Sequence, residues 1–158
     1  MPALPDTIWR RRLENEHSEL KRTTIDFDCS ADYTTYLLRL RAPGYERQGA
    51  VVRERYEHEV RIILKREYPY PGGLEVVWIT PIYHPNIRAS DGRVCLHLLT
   101  HWGAAITLAE LAKGLVHLLE SPNPQDPLDK EAAVWFAQKL GVTPPGNVVV
   151  PRGPRVVR

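Results

Sequence analysis

The spacing of apolar residues changes twice along the chain, and this order constrains the fold more than any other feature. The spacing is helical near the N-terminus, alternates in the middle and becomes helical again after Trp102. Helices that flank a block of strands in this way predict an α+β protein, in which the helices are segregated from an antiparallel sheet. A chain of 158 residues, 43% of them hydrophobic, is long enough for one domain with its own core.

The first predicted helix runs from Asp6 to Arg22 and is apolar on one face only. That face carries Trp9, Leu13 and Leu20. Asp6 is expected to cap the free amides at the start of the helix. The other face is charged, and three consecutive arginines there are typical of a solvated surface. These are Arg10, Arg11 and Arg12.

Four β-branched or aromatic runs follow, and several of them alternate apolar and polar residues. They are "TTIDFD", "YTTYLLRL", "YEHEVRIIL" and "LEVVWI". The stretches "RAPG" and "YPYPGG" between them are expected to be loops, because they contain Gly and Pro. Four successive strands with short connections predict an antiparallel meander.

Two further helices are predicted after the strands. The first has an apolar stripe of Leu108, Leu111, Leu115, Leu118 and Leu119. Thr107, with Glu110 three residues later, forms a capping box at its start. The prolines of "SPNPQDPLD" end that helix. The last helix is expected over Asp129–Leu140, with Asp129 as its cap and Gly141 as its stop.

The predicted domain spans residues 1–142, and residues 143–158 form a tail rich in Pro and Arg. A net charge of +2 gives no reason to expect nucleic acid or a membrane as a partner. Cys29 and Cys95 fit neither a disulfide framework nor a zinc site of four cysteines, so a reducing compartment is expected. No segment has the apolar run of a signal peptide or a membrane span, and we therefore expect a cytoplasmic protein.

The segment from Thr80 to Thr107 has no sustained periodicity, although it holds most of the residues that could carry chemistry. A loop of this length in a compact domain is usually functional or disordered, and its aromatic and apolar residues argue against disorder. Its candidate residues are Tyr83, His84, Asn86, Cys95, His97, His101 and Trp102.

Cys95 lies between two apolar residues, so it is either a buried packing residue or a nucleophile. A catalytic thiol needs a donor for the oxyanion that forms on the attacked carbonyl, and Asn86 is a suitable neutral donor. Cys95, His97 and His101 do not have a recognised zinc spacing and lack a fourth ligand. We therefore expect no metal and no other cofactor.

Five motifs in order resemble the core of the ubiquitin-conjugating enzymes. They are "YPYP", "IYHPNI", "GRVCLHLL", a tryptophan and "PNPQDPL", and the match covers about Tyr36 to Leu128. The resemblance implies the fold of that family. It consists of an N-terminal helix, a four-stranded antiparallel meander, a long active-site loop and two C-terminal helices.

The resemblance also implies roles for individual residues. Cys95 matches the cysteine that forms a thioester with the C-terminal glycine of ubiquitin or a ubiquitin-like protein. Asn86 matches an asparagine that stabilises the oxyanion or orders the loop around it. Asp126 matches the acidic residue that orients the incoming lysine, and Tyr83 matches an aromatic residue that lines the approach of that lysine. His84, with Pro85, is expected to hold the turn together rather than to handle protons.

The family docks its activating enzymes and ligases on the first helix and two loops. The matching positions are Arg10, Arg11, Arg12, Tyr70, Gly103, Ala104 and Ala105. The resemblance thus implies three partners, which are a ubiquitin-like modifier, an activating enzyme and a ligase of the RING type. The protein itself is expected to be a monomer.

Several departures from the family pattern indicate a divergent member. One extra residue separates Asn86 from Cys95, which predicts a rearranged "RASDG" loop, and Gly72-Gly73 replaces a pair of prolines. Two alternatives to an enzyme are a non-catalytic variant that binds the modifier and a purely interaction-mediating domain of related fold. Because such variants usually lack the cysteine, the presence of Cys95, Asn86 and Asp126 favours an enzyme.

Overall fold

Three helices lie against a six-stranded sheet in the computed structural model, which describes residues 2–95 and 106–143. The helices are α1 (Asp6–Lys21), α2 (Leu108–Glu120) and α3 (Lys130–Leu140). The strands are β1 (Asp26–Cys29), β2 (Thr35–Gln48), β3 (Val51–Leu64), β4 (Leu74–Trp78), β5 (Ile87–Arg88) and β6 (Arg93–Val94). All neighbours pair antiparallel in the order β1-β2-β3-β4-β6-β5, which confirms the α+β class and the four-stranded meander.

Two details of the predicted sheet are wrong. "RAPG" is not a loop, because β2 continues through it with a bulge between Arg41 and Gly44. A Cβ on Gly44 would lie 2.7 Å from the ring of His58, so this glycine permits close packing rather than a turn. The sheet also gains β5 and β6, which are two residues long and therefore too short to show an alternating pattern.

The helix ends agree with the sequence in two cases out of three. The hydroxyl of Thr107 accepts a hydrogen bond from the amide of Glu110 at 3.2 Å, and the Asp129 carboxylate accepts one from Ala132 at 3.0 Å. Asp6, however, does not cap α1. It is the first residue inside the helix and forms an ion pair with Arg10 at 3.2 Å instead. Pro5 occupies the cap position, because its fixed φ suits a chain that enters a helix.

The main core lies between the sheet and the apolar faces of α1 and α2, where Leu13, Leu38, Ile62 and Leu115 are among the buried residues. A second, aromatic cluster lies under α3 and consists of Tyr83, Ala132 and Phe136, with Tyr45, Val52 and Trp135 packed against it. Within residues 2–95 and 106–143, no helix has both the length and the apolar character that crossing a membrane requires.

Candidate active site

Cys95 follows β6 directly, and the short β5–β6 hairpin brings it beside Asn86. Its backbone N–H donates to the Asn86 carbonyl oxygen at 2.9 Å. The "RASDG" segment closes this hairpin, with an ion pair between Arg88 and Asp91 at 2.6 Å. Gly92 is required in the turn, because its φ is 74° and a Cβ there would lie 2.2 Å from a backbone oxygen of Trp78. The hairpin therefore fixes the backbone on the N-terminal side of the cysteine.

The surroundings of Cys95 favour the protonated thiol. The residue is 5% exposed. Burial raises the pKa of this thiol, the negative charge of Asp126 raises it further, and the positive charge of Arg93 lowers it. Asp126 is thus close enough to act electrostatically on the sulfur. Because Sγ in a thioester carries no charge, this repulsion disappears once the cysteine is acylated.

The Asn86 side chain is fully buried, and it holds the proline-rich turn next to the cysteine. Its amide nitrogen donates to the backbone oxygens of Asn123 at 2.8 Å and Asp126 at 3.1 Å. Its side-chain oxygen accepts from the backbone N–H of Asn123 at 2.8 Å. Both amide hydrogens therefore have acceptors within the turn, and one of these bonds would have to break before Asn86 could donate to an oxyanion. In this arrangement Asn86 orders the turn that carries Asp126.

His84 and Pro85 tie the same turn to two helices. The Nε2–H of His84 donates to the Leu118 carbonyl oxygen of α2 at 2.8 Å, while its Nδ1 accepts from the Asn86 N–H at 3.0 Å. Burial lowers the pKa of His84 to about 4, so the ring is neutral near pH 7. The Pro85 carbonyl oxygen accepts from the backbone N–H groups of Leu128 at 2.8 Å and Asp129 at 3.0 Å, just before α3.

Tyr83 belongs to the aromatic cluster under α3. Its ring packs 5.9 Å from Trp135 and 6.4 Å from Phe136, and burial raises the pKa of its hydroxyl to about 12. Its backbone N–H donates to the backbone carbonyl oxygen of Tyr45 at 2.7 Å. These contacts serve the packing of α3, and a place for Tyr83 on the lysine approach stays a prediction.

The expected docking residues differ in their exposure and in their contacts. Arg10 and Arg11 are exposed on α1, and Tyr70 is half-buried. Arg12 points inward instead. Its Nη2 donates to the Ile106 carbonyl oxygen at 3.0 Å, and its Nε donates to Glu16 at 3.2 Å. Arg12 is therefore engaged in the fold rather than presented to a partner. Gly103, Ala104 and Ala105, together with His97, His101 and Trp102, lie outside the described residues.

Glu16 is a buried polar residue that the sequence motifs did not predict. Its side chain is buried, although it lies on a helix with many charged residues. A signal was present, because Glu16 is spaced three residues from Leu13 and four from Leu20, on the apolar face of α1. In the part of the chain that the structure describes, no group of three or more His, Cys, Asp or Glu side chains is placed to hold a metal ion.

Comparisons with known proteins agree with the fold. The family model described as ubiquitin-conjugating enzyme matches residues 47–141. A probable ubiquitin-conjugating enzyme E2 of Acanthamoeba polyphaga mimivirus is 30% identical over 133 residues, which cover 80% of this chain and 81% of that protein. A ubiquitin conjugating enzyme E2 B of Dictyostelium discoideum is 29% identical over 128 residues, which cover 80% and 84%.

A solved structure shows the same architecture. The E2 domain of a Toxoplasma gondii ubiquitin conjugating enzyme superposes with a TM-score of 0.65 at 23% identity, over 83% of this chain and 88% of that one. At this identity the likeness concerns the fold alone. The sequence matches carry the assignment, and the chain belongs to the ubiquitin-conjugating enzyme family.

Proposed function

We propose that the protein is a carrier enzyme that accepts ubiquitin or a ubiquitin-like protein as a thioester on Cys95 and passes it to a lysine. The observation that supports this most is the position of Cys95, which lies beside Asn86 and within electrostatic reach of Asp126. An activating enzyme would supply the modifier, and a ligase of the RING type would assist the transfer. A reducing compartment such as the cytoplasm suits a carrier that depends on a free thiol.

Loading is an exchange between two thiols. Cys95 Sγ loses its proton and attacks the carbonyl carbon that joins the modifier to the activating enzyme. The thiolate of the activating enzyme then leaves and takes up a proton. Since burial and Asp126 both raise the pKa of Cys95, its thiolate is scarce near pH 7. Acylation removes the charge from the sulfur, so the loaded state escapes the repulsion that the thiolate feels.

Discharge transfers the modifier to an amine. The lysine nitrogen attacks the thioester carbonyl, Cys95 Sγ leaves with the electron pair, and the amine proton goes to a base or to water. An amine attacks only when neutral, and lysine has an unperturbed pKa of about 10.4. We expect the exposed Asp126 carboxylate to attract the ammonium, and the hydrogen bond from Asn86 to the Asp126 carbonyl oxygen at 3.1 Å holds the backbone of Asp126 in place.

A non-catalytic variant that only binds the modifier is the second candidate. The burial of Cys95, which is 5% exposed, favours it, because a carrier thiol has to meet a large acyl donor. The two candidates differ in whether a covalent adduct forms.

The test is a loading and discharge assay. The protein is incubated with an activating enzyme, ATP and the modifier, and the products are run on a gel without reductant. We expect an adduct that disappears on addition of thiol.

Asp126→Ala should load normally and discharge more slowly onto free lysine, with partial recovery at higher pH, while transfer to a small thiol should be unchanged. Asp126→Asn separates the charge from the shape of the side chain. The absence of any adduct with every activating enzyme and modifier pair tried would favour the binding variant. Equal slowing toward thiol and amine would remove Asp126 from the mechanism.

A further inference from the structure

Helix α1 is bound by hydrogen bonds to Ile106 and Leu108 at the start of α2. The Arg12 guanidinium donates to the Ile106 carbonyl oxygen at 3.0 Å. The Glu16 carboxylate accepts from the Leu108 N–H, the first amide of α2, at 2.5 Å. The start of α2 is thereby bound to α1 by two charged side chains.

These side chains form an ionic network together with Tyr68, in which Glu16 is buried and Arg12 is half-buried. Glu16 is 1% exposed, and it also accepts from the Tyr68 hydroxyl at 3.0 Å and from Arg12 Nε at 3.2 Å. The Arg12 guanidinium lies 5.3 Å from the centre of the Tyr68 ring. Burial of an ion pair is costly, and apolar residues could have joined the two helices at less cost. A role beyond stability would explain why charges occupy this place.

A continuous set of contacts joins this network to the cysteine. Glu16 holds Leu108 at the start of α2, and near the end of that helix the Leu118 carbonyl oxygen accepts from His84 at 2.8 Å. His84 Nδ1 in turn accepts from the Asn86 N–H at 3.0 Å. The Asn86 carbonyl oxygen accepts from the Cys95 N–H at 2.9 Å. Since α2 is a continuous helix of 13 residues, a rigid shift of its start would also move its end.

We propose that Arg12 and Glu16 are positioning residues for the reaction at Cys95, acting through α2 and the His84–Asn86 contacts. This inference rests on the proposed function. It gives Arg12 a task inside the fold, whereas its neighbours Arg10 and Arg11 remain exposed for a partner. Neither Arg12 nor Glu16 touches the reacting atoms, so the effect on them is indirect.

The first experiment measures alkylation of Cys95 by iodoacetamide in a Cys29→Ala background, at a temperature at which every variant is folded. Glu16→Gln keeps the size of the side chain and removes its charge. Arg12→Lys keeps the charge, but a lysine cannot hold Glu16 and the Ile106 carbonyl in the same forked geometry. We expect both variants to alkylate about three- to tenfold faster than the parent, as coupling of this kind permits. Glu14→Gln, an exposed change on the same helix, should alkylate at the parental rate.

The second experiment measures discharge of the preloaded thioester onto free lysine without a ligase, so that docking does not enter the rate. Both variants should discharge about three- to tenfold more slowly, with an unchanged extent of loading. The inference is overturned if both variants alkylate and discharge at the parental rates, even if their melting temperature is lower. The network would then have a structural role only. If the wild type forms no thioester while the alkylation rates still differ, the proposed function fails and the positional coupling stands.

Discussion

Two polar junctions anchor α2 and the turn beside Cys95, and they are built from different chemistry. The turn junction consists of His84, Pro85 and Asn86 with their partners in α2 and the proline-rich turn. The helix junction consists of Arg12, Glu16 and Tyr68 with the start of α2. The first uses neutral side chains bound to backbone groups, and the second uses an ion pair.

The difference decides what each junction tolerates. Neutral side chains that are hydrogen-bonded to backbone groups need no counter-charge to keep their geometry. Such a network is destabilised when its backbone partners lose their hydrogen bonds. An ionic network fails when one partner is removed, since the other charge is then buried without compensation. The turn junction is therefore suited to hold Asp126 and Cys95 in a fixed relation, and the helix junction is suited to transmit a change in α1.

Removal of the Asn86 side chain is expected to have the largest effect on stability. In Asn86→Ala the Asn123 N–H and two carbonyl oxygens lose their partner at a part-buried place, and each hydrogen bond contributes about 0.5–1.5 kcal/mol. The free energy of unfolding, measured with denaturant, should fall by about 2–4 kcal/mol. Gln125→Ala changes an exposed residue of the same turn and should cost less than about 1 kcal/mol. Equal costs for the two variants would contradict the account of the turn junction.

As the pH falls, the contributions of the two junctions to the free energy of unfolding should change in opposite directions. The folded state keeps the pKa of His84 at about 4, below the value of about 6.5 expected for the unfolded chain. Stability from the neutral ring is therefore present above pH 6.5 and is lost between about pH 6.5 and 4, with a total of about 3 kcal/mol. The lowered pKa of His58 acts in the same direction. Burial raises the pKa of Glu16, so the helix junction gains stability as the pH falls through that pKa.

A comparison of unfolding free energies at pH 7 and pH 5 tests this sign. The parent protein should lose stability toward pH 5. His84→Gln should lose less over the same interval, because it lacks the titrating ring. If the variant loses as much unfolding free energy between pH 7 and pH 5 as the parent does, His84 is not the group that takes up the proton on unfolding.

Tyr68→Phe should weaken the helix junction more modestly. It removes one hydroxyl donor from the Glu16 carboxylate, and a hydrogen bond to a charged group contributes about 1.5–3 kcal/mol. We expect a loss near the lower end of that range in thermal or chemical unfolding, because the Arg12 and Leu108 contacts remain. Tyr56→Phe, at an exposed site, provides the control and should have almost no effect. A Tyr68 variant as stable as the parent would show that the ionic network does not depend on the hydroxyl.

Tyr83→Phe is expected to have the smallest effect. The ring contacts with Trp135 and Phe136 persist, so the free energy of unfolding should change by less than about 1 kcal/mol. Discharge onto free lysine should stay at the parental rate. A selective fall in that rate, without a change in transfer to thiol, would instead place the Tyr83 hydroxyl on the lysine approach.

The sequence predicted the fold where local patterns decide it. Alternating runs predicted β1 to β4, and the cap residues Thr107 and Asp129 predicted the starts of α2 and α3. The bulge at "RAPG" escaped prediction because Gly44 packs against His58 of the neighbouring strand, which is a long-range contact.

The contacts of the two junctions could not be predicted for the same reason, because they join residues far apart in the sequence. Asn86 meets its partners 37 and 40 residues away, and Arg12 meets Ile106 at a separation of 94 residues. A local pattern predicts which face of α1 is apolar, but not that Arg12 turns inward to bind a backbone carbonyl.

The most direct test of the central proposal is the identity of the residue that carries the modifier. In the loading assay, Cys29→Ala should form the same thiol-sensitive adduct as the parent protein. Cys95→Ala should form none. Cys95→Ser should form an adduct that resists thiol, because an oxyester does not exchange with thiols as a thioester does. An adduct that persists without Cys95, or that disappears with Cys29, would contradict the assignment of Cys95 as the carrier.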